Sequence, residues 1–347
     1  MRHSISLLIL LFIILFSATG DAQNIQIKSR FEKIKIQNDS SFVNEIEIQF
    51  HKSNESRLYP IFYDTELEQV SDIKMFIKKG KRLKEYPIKK IFEDDVDAHY
   101  MTSKKIKSVV IPSDLEVTLK YSVSCNELMY LARLPFFSYN KIDTLRYQIN
   151  IPNKFKLAHN TIHEDLLSFY SMDSSLINTS TSWNIKVAPK KVEPDPLQFF
   201  GIYKNMKVPL MLTLVYPKSY NNQSKKYMND WYLESLTPTK GLDISAKHKI
   251  DELTASTNDQ KEIVNIIYNY VKENFKYVAI EIGMGAFIPS HVNEVFLNKQ
   301  GDCKDLSNFL SEALNYKKIK SDVALAATFD HISDCDFPSL SAANHVI

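Results

Sequence analysis

The chain has 347 residues, with 43 Lys and Arg against 41 Asp and Glu for a net charge of +2. That near-balance gives no electrostatic reason to expect nucleic acid as a partner. Hydrophobic residues at 44% and charged residues at 24% exclude a disordered chain or a multi-span membrane protein. Only 7 glycines are present, and no G-x-G-x-x-G or G-x-x-x-x-G-K-S/T run, so a phosphate-cradling nucleotide site has no support.

Taken from the N-terminus, Arg2 and His3 precede an apolar run from Ile5 to Phe16, and small residues Ser17 to Ala22 follow. This pattern predicts a signal peptide over residues 1–22, cleaved after Gly20 or Ala22. About a dozen apolar residues fall short of the ~20 needed to span a bilayer. The expectation is therefore an exported, periplasmic or cell-surface protein with no stable membrane span after cleavage. No Cys sits near the cleavage site, which speaks against a lipid anchor.

Residues 24–239 carry a period of two. Ile46, Ile48 and Phe50 alternate with polar neighbours, as do Val117, Leu119, Tyr121 and Val123, then Tyr147, Ile149 and Ile151, then Trp183, Ile185 and Val187. Pro209 and Pro217 bracket an apolar run from Leu210 to Tyr216. Short runs of this kind, punctuated by Asn, Ser, Asp and Pro, predict an all-β sandwich domain. Between Lys74 and Lys90, Lys78, Lys79, Lys81, Arg82, Lys84, Lys89 and Lys90 cluster around Gly80, and Glu93, Asp94, Asp95 and Asp97 follow at once. Their charges nearly cancel, so a hairpin turning at Gly80 with a solvated outer face is expected rather than an anion-binding patch.

Beyond Thr239 the period becomes helical, with a Pro- and Gly-containing linker over Ser235 to Gly241. A short helix is expected from Asp243 to Ser256. A second, capped by Asn258 or Thr257, follows, with Ile263, Ile266, Ile267, Tyr270, Val271 and Phe275 on one face. A third short helix runs from Ser290 to Leu297. Gly301 and the N-capping Asp302 then open a fourth, with Leu306, Phe309, Leu310, Ala313 and Leu314 as its buried stripe. Val323 to Phe329 reads as a strand, and Asn344 to Ile347 begins another.

Three cysteines are present, Cys125, Cys303 and Cys335, and an odd count leaves at least one free thiol or an intermolecular bridge. No Cys/His spacing suits zinc, and no calcium-loop pattern is visible, so no metal or cofactor is expected. Cys303 falls in the first turn of a helix, where unpaired N–H groups and the helix dipole favour a thiolate and can stabilise an oxyanion. A nucleophilic cysteine also needs a base, and His345 on a neighbouring strand can supply it. Cys125, after a strand, reads as structural.

These residues resemble a known family. The run Tyr277-x-x-Ile280-Glu281-x-Gly283-x-Gly285-x-x-x-Pro289, then Glu294-Val295-Phe296, then Gly301-Asp302-Cys303-Lys304-Asp305 with Leu310 and Leu314, is similar to the core of exported bacterial transglutaminase-like proteins that carry an all-β domain ahead of that core. The resemblance implies an α+β, papain-like core over residues 240–347, with Cys303 as nucleophile and the His345 of Asn344-His345-Val346-Ile347 as base. It also implies an Asp on the strand after the His. The chain ends at Ile347, so the core is expected to be truncated at its C-terminus and to lack that third residue. Asp330, Asp334 and Asp336 precede the His and do not match its position. The expected function is cysteine-dependent acyl transfer or hydrolysis on peptide or amide substrates. The alternative is a non-catalytic envelope binding or scaffold protein that uses its β-sandwich.

Overall fold

The computed structural model describes residues 25–80, 82–96, 101–177, 179–192, 208–328, 331 and 336–347. The signal segment 1–22, Lys81, Asp97, Asp330, Asp334 and Cys335 lie outside them.

Among the described residues, fourteen strands longer than two residues run in chain order. They are β1 Gln26–Ile36, β2 Phe42–Phe50, β3 Arg57–Asp64, β4 Glu68–Lys79, β5 Arg82–Tyr86, β6 Ile91–Asp95 and β7 Lys104–Ile111. They continue as β8 Val117–Cys125, β9 Arg133–Pro135, β10 Lys141–Pro152, β11 Phe155–Ile162, β12 Phe169–Ile177, β13 Ser180–Ala188 and β14 Leu210–Pro217. Eight of them form one sheet in the order β12-β13-β10-β1-β2-β8-β4-β5. The sheet is mixed, because β1 pairs in parallel with β10 while its other neighbour, β2, is antiparallel. Two three-stranded sheets, β3-β7-β6 and β9-β14-β11, accompany it.

The alternation seen in the sequence has its cause in this arrangement. Ile46, Ile48 and Phe50 of β2, Leu119, Tyr121 and Val123 of β8, and Leu145, Tyr147, Ile149 and Ile151 of β10 turn into one core. The same core takes in Tyr59 and Ile61 of β3, Val109 and Ile111 of β7, and Met211 and Val215 of β14. Strand β14 is buried at seven successive positions because both its faces are covered. Met211 and Val215 enter the main core, while Leu214 and Tyr216 pack with Met228 and Leu340 in a second cluster. The hairpin at Gly80 forms between β4 and β5, with the glycine at φ +63°. The acidic run that follows lies in β6, where Glu93 pairs with Lys107 at 3.0 Å and Asp95 with Lys105 at 3.5 Å.

Among the described residues five α-helices follow: α1 Ser224–Leu236, α2 Ile244–Leu253, α3 Gln260–Asn274, α4 Val292–Asn298 and α5 Cys303–Tyr316. Helix α1 was not expected from the sequence. Its apolar positions are few (Met228, Tyr232 and Leu236 are buried), so its helical period is weak.

The expected architecture, an all-β sandwich followed by an α+β papain-like core, is overturned. The chain is mostly β, organised on one large mixed sheet with two small ones, and residues after 240 build no core sheet. Among the described residues, the only strands there are two-residue pairs. Lys276–Tyr277 pairs with Gln300–Gly301, Ile280–Glu281 with Met101–Thr102, and Leu325–Ala326 with His345–Val346. The physical reason is that the helical stripes satisfy one another. Ile263, Ile267, Val271, Phe275, Val292, Phe296 and Phe309 close a cluster of their own, with Phe309 between Phe275 at 5.2 Å and Phe296 at 5.8 Å. The strand read at 323–329 shrinks to Leu325–Ala326.

Candidate functional site around Cys303

Helix α5 begins at Cys303, and the residues flanking the cysteine hold that start in place. Asp302 is the N-cap: its carboxylate accepts from the Lys304 N–H at 3.2 Å, and Asp305 returns the favour by accepting from the Asp302 N–H at 3.0 Å. This reciprocal capping box satisfies donors that a helix start otherwise leaves unpaired. Asp302 also accepts from the Ile280 N–H at 3.2 Å, and Asp305 from the Ser290 N–H at 2.8 Å. The Lys304 ammonium, 3% exposed, pairs with the Asp302 carboxylate and donates to the Ile280 carbonyl at 3.1 Å. Burial pushes the Asp305 carboxyl up from its ordinary value, against the lowering effect of its two amide donors. Gly301 is required on steric grounds, since a Cβ there would lie 2.5 Å from the Asp305 Cβ. Of the five residues 301–305, four are thus occupied in building the helix start. Cys303 turns a half-buried side chain to a cavity that the buried Asp302 and Lys304 also line.

That cavity has a volume of about 520 Å³ and is lined from both parts of the chain. Tyr277, Glu281, Cys303 and His345 come from the C-terminal part, and Lys104 and Arg133 from the β-rich part. The segment between α3 and α4 crosses to the β-rich part and stitches the two together. Ile280 and Glu281 pair with Met101 and Thr102, the Gly283 N–H donates to Ser103 Oγ at 2.9 Å, and Ser103 Oγ donates to the buried Asp64 at 2.7 Å. Lys104 Nζ meets Glu281 at 3.1 Å. Gly283 sits at φ +52°, and a Cβ on it would come 2.8 Å from the Glu66 Cβ, so only glycine permits this close approach.

His345 reaches the same cavity from the other side. Its strand pairs with Leu325–Ala326, and the Asn344 side chain grips Thr328 through bonds of 2.8 and 3.0 Å. Val346 is buried, and its carbonyl accepts from Ser307 Oγ at 3.2 Å, one turn beyond Cys303 on α5. The structure therefore brings together both residues singled out from the sequence. Among the described residues no hydrogen bond joins the Cys303 thiol to the His345 imidazole. No carboxylate is hydrogen-bonded to His345 among the described residues. Asp336, exposed, accepts from Lys225 at 2.6 Å.

Two site residues carried no assigned role in the sequence. Tyr277 lies beside Gly301 in the parallel pair, and its phenol sits against Cys303. Burial first, then the nearby cysteine and Asp302, push that phenol up to about 12, so it stays a hydrogen-bond donor at neutral pH. Arg133 stands on β9, far from the motif in sequence and with no pattern to mark it. Cys125 is buried, donates to the Glu127 carbonyl at 3.4 Å, and is pushed up to about 12 by burial, a structural thiol. Among the described residues no three His, Cys, Asp or Glu side chains converge as a metal site, and no helix is long and apolar enough to cross a membrane.

No known family's profile matches the chain, and no curated protein matches it in sequence. In fold it is similar to a candidate protease from Parabacteroides distasonis, with a TM-score of 0.62 at 15% identity over 94% of this chain. The chain spans 65% of that protein's length. A candidate nutrient-binding protein from Legionella pneumophila gives a TM-score of 0.32 at 11% identity, over 71% of this chain and 80% of that one. An M1 zinc metallopeptidase from Deinococcus radiodurans gives 0.27 at 9% identity, over 48% and 43%. At such identities the first likeness concerns the fold.

Proposed function

We propose that the protein is a cysteine-dependent acyl-transfer enzyme or hydrolase acting on peptide or amide bonds, with Cys303 as nucleophile and His345 as base. The observation that carries this reading is the convergence of the two side chains on one cavity, with the residues around the cysteine committed to holding its helix start. The resemblance of Gly301 to Asp305 and Asn344 to Ile347 to transglutaminase-like motifs supports the same roles.

In the chemistry that follows, the Cys303 thiolate attacks the acyl carbon, and the carbonyl electrons move to oxygen. That oxyanion forms near the Cys303 N–H, the first-turn donor of α5 that the capping box leaves over, and the Tyr277 hydroxyl, which can donate to it. As the tetrahedral adduct collapses, the C–N bond breaks, and the His345 imidazolium gives its proton to the leaving amine. A thioester remains. Water, or an acceptor amine, then attacks it while His345 takes the incoming proton, and the thiolate–imidazolium pair is restored as the acid or new amide departs.

The test is alkylation by iodoacetamide at pH 6, followed peptide by peptide in a mass spectrometer. An ordinary thiol of pKa about 8.5 is about 0.3% ionised at that pH. Cys303 should react at least about tenfold faster than free cysteine, His345→Ala should remove the excess, and buried Cys125 should stay unlabelled. A Cys303 rate equal to that of free cysteine, unaffected by His345→Ala, would sink the assignment. The same reading includes secretion, on the strength of residues 2–22, and the N-terminal sequence of the mature protein tests it.

A further inference from the structure

The cavity's cations are not all alike. Lys304 is spent on Asp302 and the Ile280 carbonyl, and Lys104 meets Glu281 at 3.1 Å. Arg133, on the edge strand of the β9-β14-β11 sheet, lines the same cavity as Cys303 and His345 but has no carboxylate or hydrogen-bond acceptor of its own among the described residues. Its backbone is firmly placed: Arg133 pairs with Leu212 of β14, and the Ala132 carbonyl beside it accepts from the Thr213 N–H at 3.0 Å and from Ser339 Oγ at 2.6 Å. A strand fixed by these bonds thus presents an exposed guanidinium, without a partner among the described residues, to the cavity that holds Cys303. A guanidinium is a planar fork of donors that matches a carboxylate in two-point geometry.

We propose that Arg133 is a specificity residue that binds a carboxylate of the substrate, so that the enzyme acts on peptides bearing a negative charge close to the bond attacked. This rests on the reading of Cys303 as the nucleophile. The carboxylate is either a free C-terminus or an Asp or Glu side chain; both present the same chemistry to Arg133.

The experiment compares two alkylating agents of nearly equal size, iodoacetate with its carboxylate and neutral iodoacetamide. In each, the Cys303 thiolate attacks the methylene carbon, the C–I bond breaks, iodide leaves, and a thioether forms. The quantity read is the ratio of the two rates at Cys303 in the wild type, Arg133→Met and Arg133→Lys, at low salt. Arg133→Met should lower the iodoacetate-to-iodoacetamide ratio by roughly three- to fivefold, the worth of one partly solvated charge pair. Arg133→Lys should recover much of it, and added salt should shrink the wild-type ratio. Because Arg133 is exposed, folding should be unchanged, which circular dichroism checks. A ratio unmoved by Arg133→Met, with Cys303 still fast toward both reagents, would overturn the proposal while leaving the nucleophile intact. Slow reaction with both reagents in the wild type would instead remove the nucleophile reading beneath it. Protection of Cys303 from iodoacetamide by a peptide with a free C-terminus, by its amide, and by an amidated peptide containing glutamate then separates the two sources. Equal protection by all three and by an amidated peptide without acidic residues would also count against Arg133.

Discussion

Replacing Gly301 by alanine tests whether the helix start that carries Cys303 is built as described. The new Cβ would lie 2.5 Å from the Asp305 Cβ, 3.0 Å from its Oδ2 and 3.2 Å from its Cγ. Ordinary carbon contacts begin near 3.4 Å, so Asp305 must retreat by about 1 Å. It has nowhere to go, being 1% exposed, and its carboxylate holds the Ser290 and Asp302 N–H groups at 2.8 and 3.0 Å. Overpacking of a tight site costs about 1–3 kcal/mol, and hydrogen bonds to a charged group are worth about 1.5–3 kcal/mol each. Partial loss of both bonds plus the strain gives an expected destabilisation of about 3 kcal/mol. Gly285→Ala is the control, because a Cβ there meets nothing within 4 Å. Urea unfolding followed by tryptophan fluorescence should show the midpoint fall for Gly301→Ala and stay within about 0.5 kcal/mol of wild type for Gly285→Ala. Alkylation of Cys303 at pH 6 should slow in the first and not in the second. A Gly301→Ala protein as stable as wild type would refute the packing argument for the whole 301–305 segment.

Other outcomes follow from neighbouring contacts. Phe309→Ala empties the centre of the helical cluster and should cost about 3–5 kcal/mol, measured by the same unfolding curves, whereas Leu297→Ala, at a 67% exposed position, should cost little. Lys304→Ala leaves Asp302 buried without its cation and should cost about 3–5 kcal/mol, with the loss smaller in an Asp302→Asn background. Ser307→Ala removes the bond to the Val346 carbonyl and should cost about 1 kcal/mol while slowing alkylation of Cys303 through a loosened His345. The Cys125 thiol is raised from 9.0 to about 12 in the folded state. Its contribution is fully present below the unfolded value and fades as pH climbs from about 9 toward 12. Stability should thus fall by about 1.4 kcal/mol per pH unit in that window. Cys125→Ala should make the slope measured between pH 9 and 10 shallower, while the part that remains in both proteins comes from the buried tyrosines, whose phenols titrate near 10 once unfolded.

The sequence made the local chemistry legible and left the architecture obscure, for physical reasons. Asp302 as N-cap, Cys303 in the first turn and the stripe from Phe309 to Leu314 are all set by contacts within a few residues, which short-range patterns encode. The alternation in β2, β8 and β10 likewise announced strands. What it could not announce was their partners: β1 lies beside both β2 and the distant β10, and nothing in either strand names the other. The papain-like core was inferred by carrying a family's architecture along with its motif, and the packing of α2 to α5 on one another shows that the motif does not determine what surrounds it. Helix α1, with few apolar positions, gave too weak a period to be read.

Arg133 and Tyr277 illustrate the same division at the scale of the site. Tyr277 belonged to the motif run, yet its contact with Cys303 depends on the parallel pairing of residues 276–277 with 300–301, a long-range event. Arg133 lines the cavity beside a strand whose Ala132 carbonyl is tied by Ser339 to the segment leading to His345, while the 280–283 stretch is sewn to residues 101–103. A side chain whose role depends on two long-range closures has no local signature. The proposed nucleophile is therefore set by one helix start, whereas the lining of the cavity depends on how the β-rich and helical parts meet. Substitutions at that junction, such as Gly283→Ala against Glu66, should change which substrate is accepted before they change the intrinsic reactivity of Cys303.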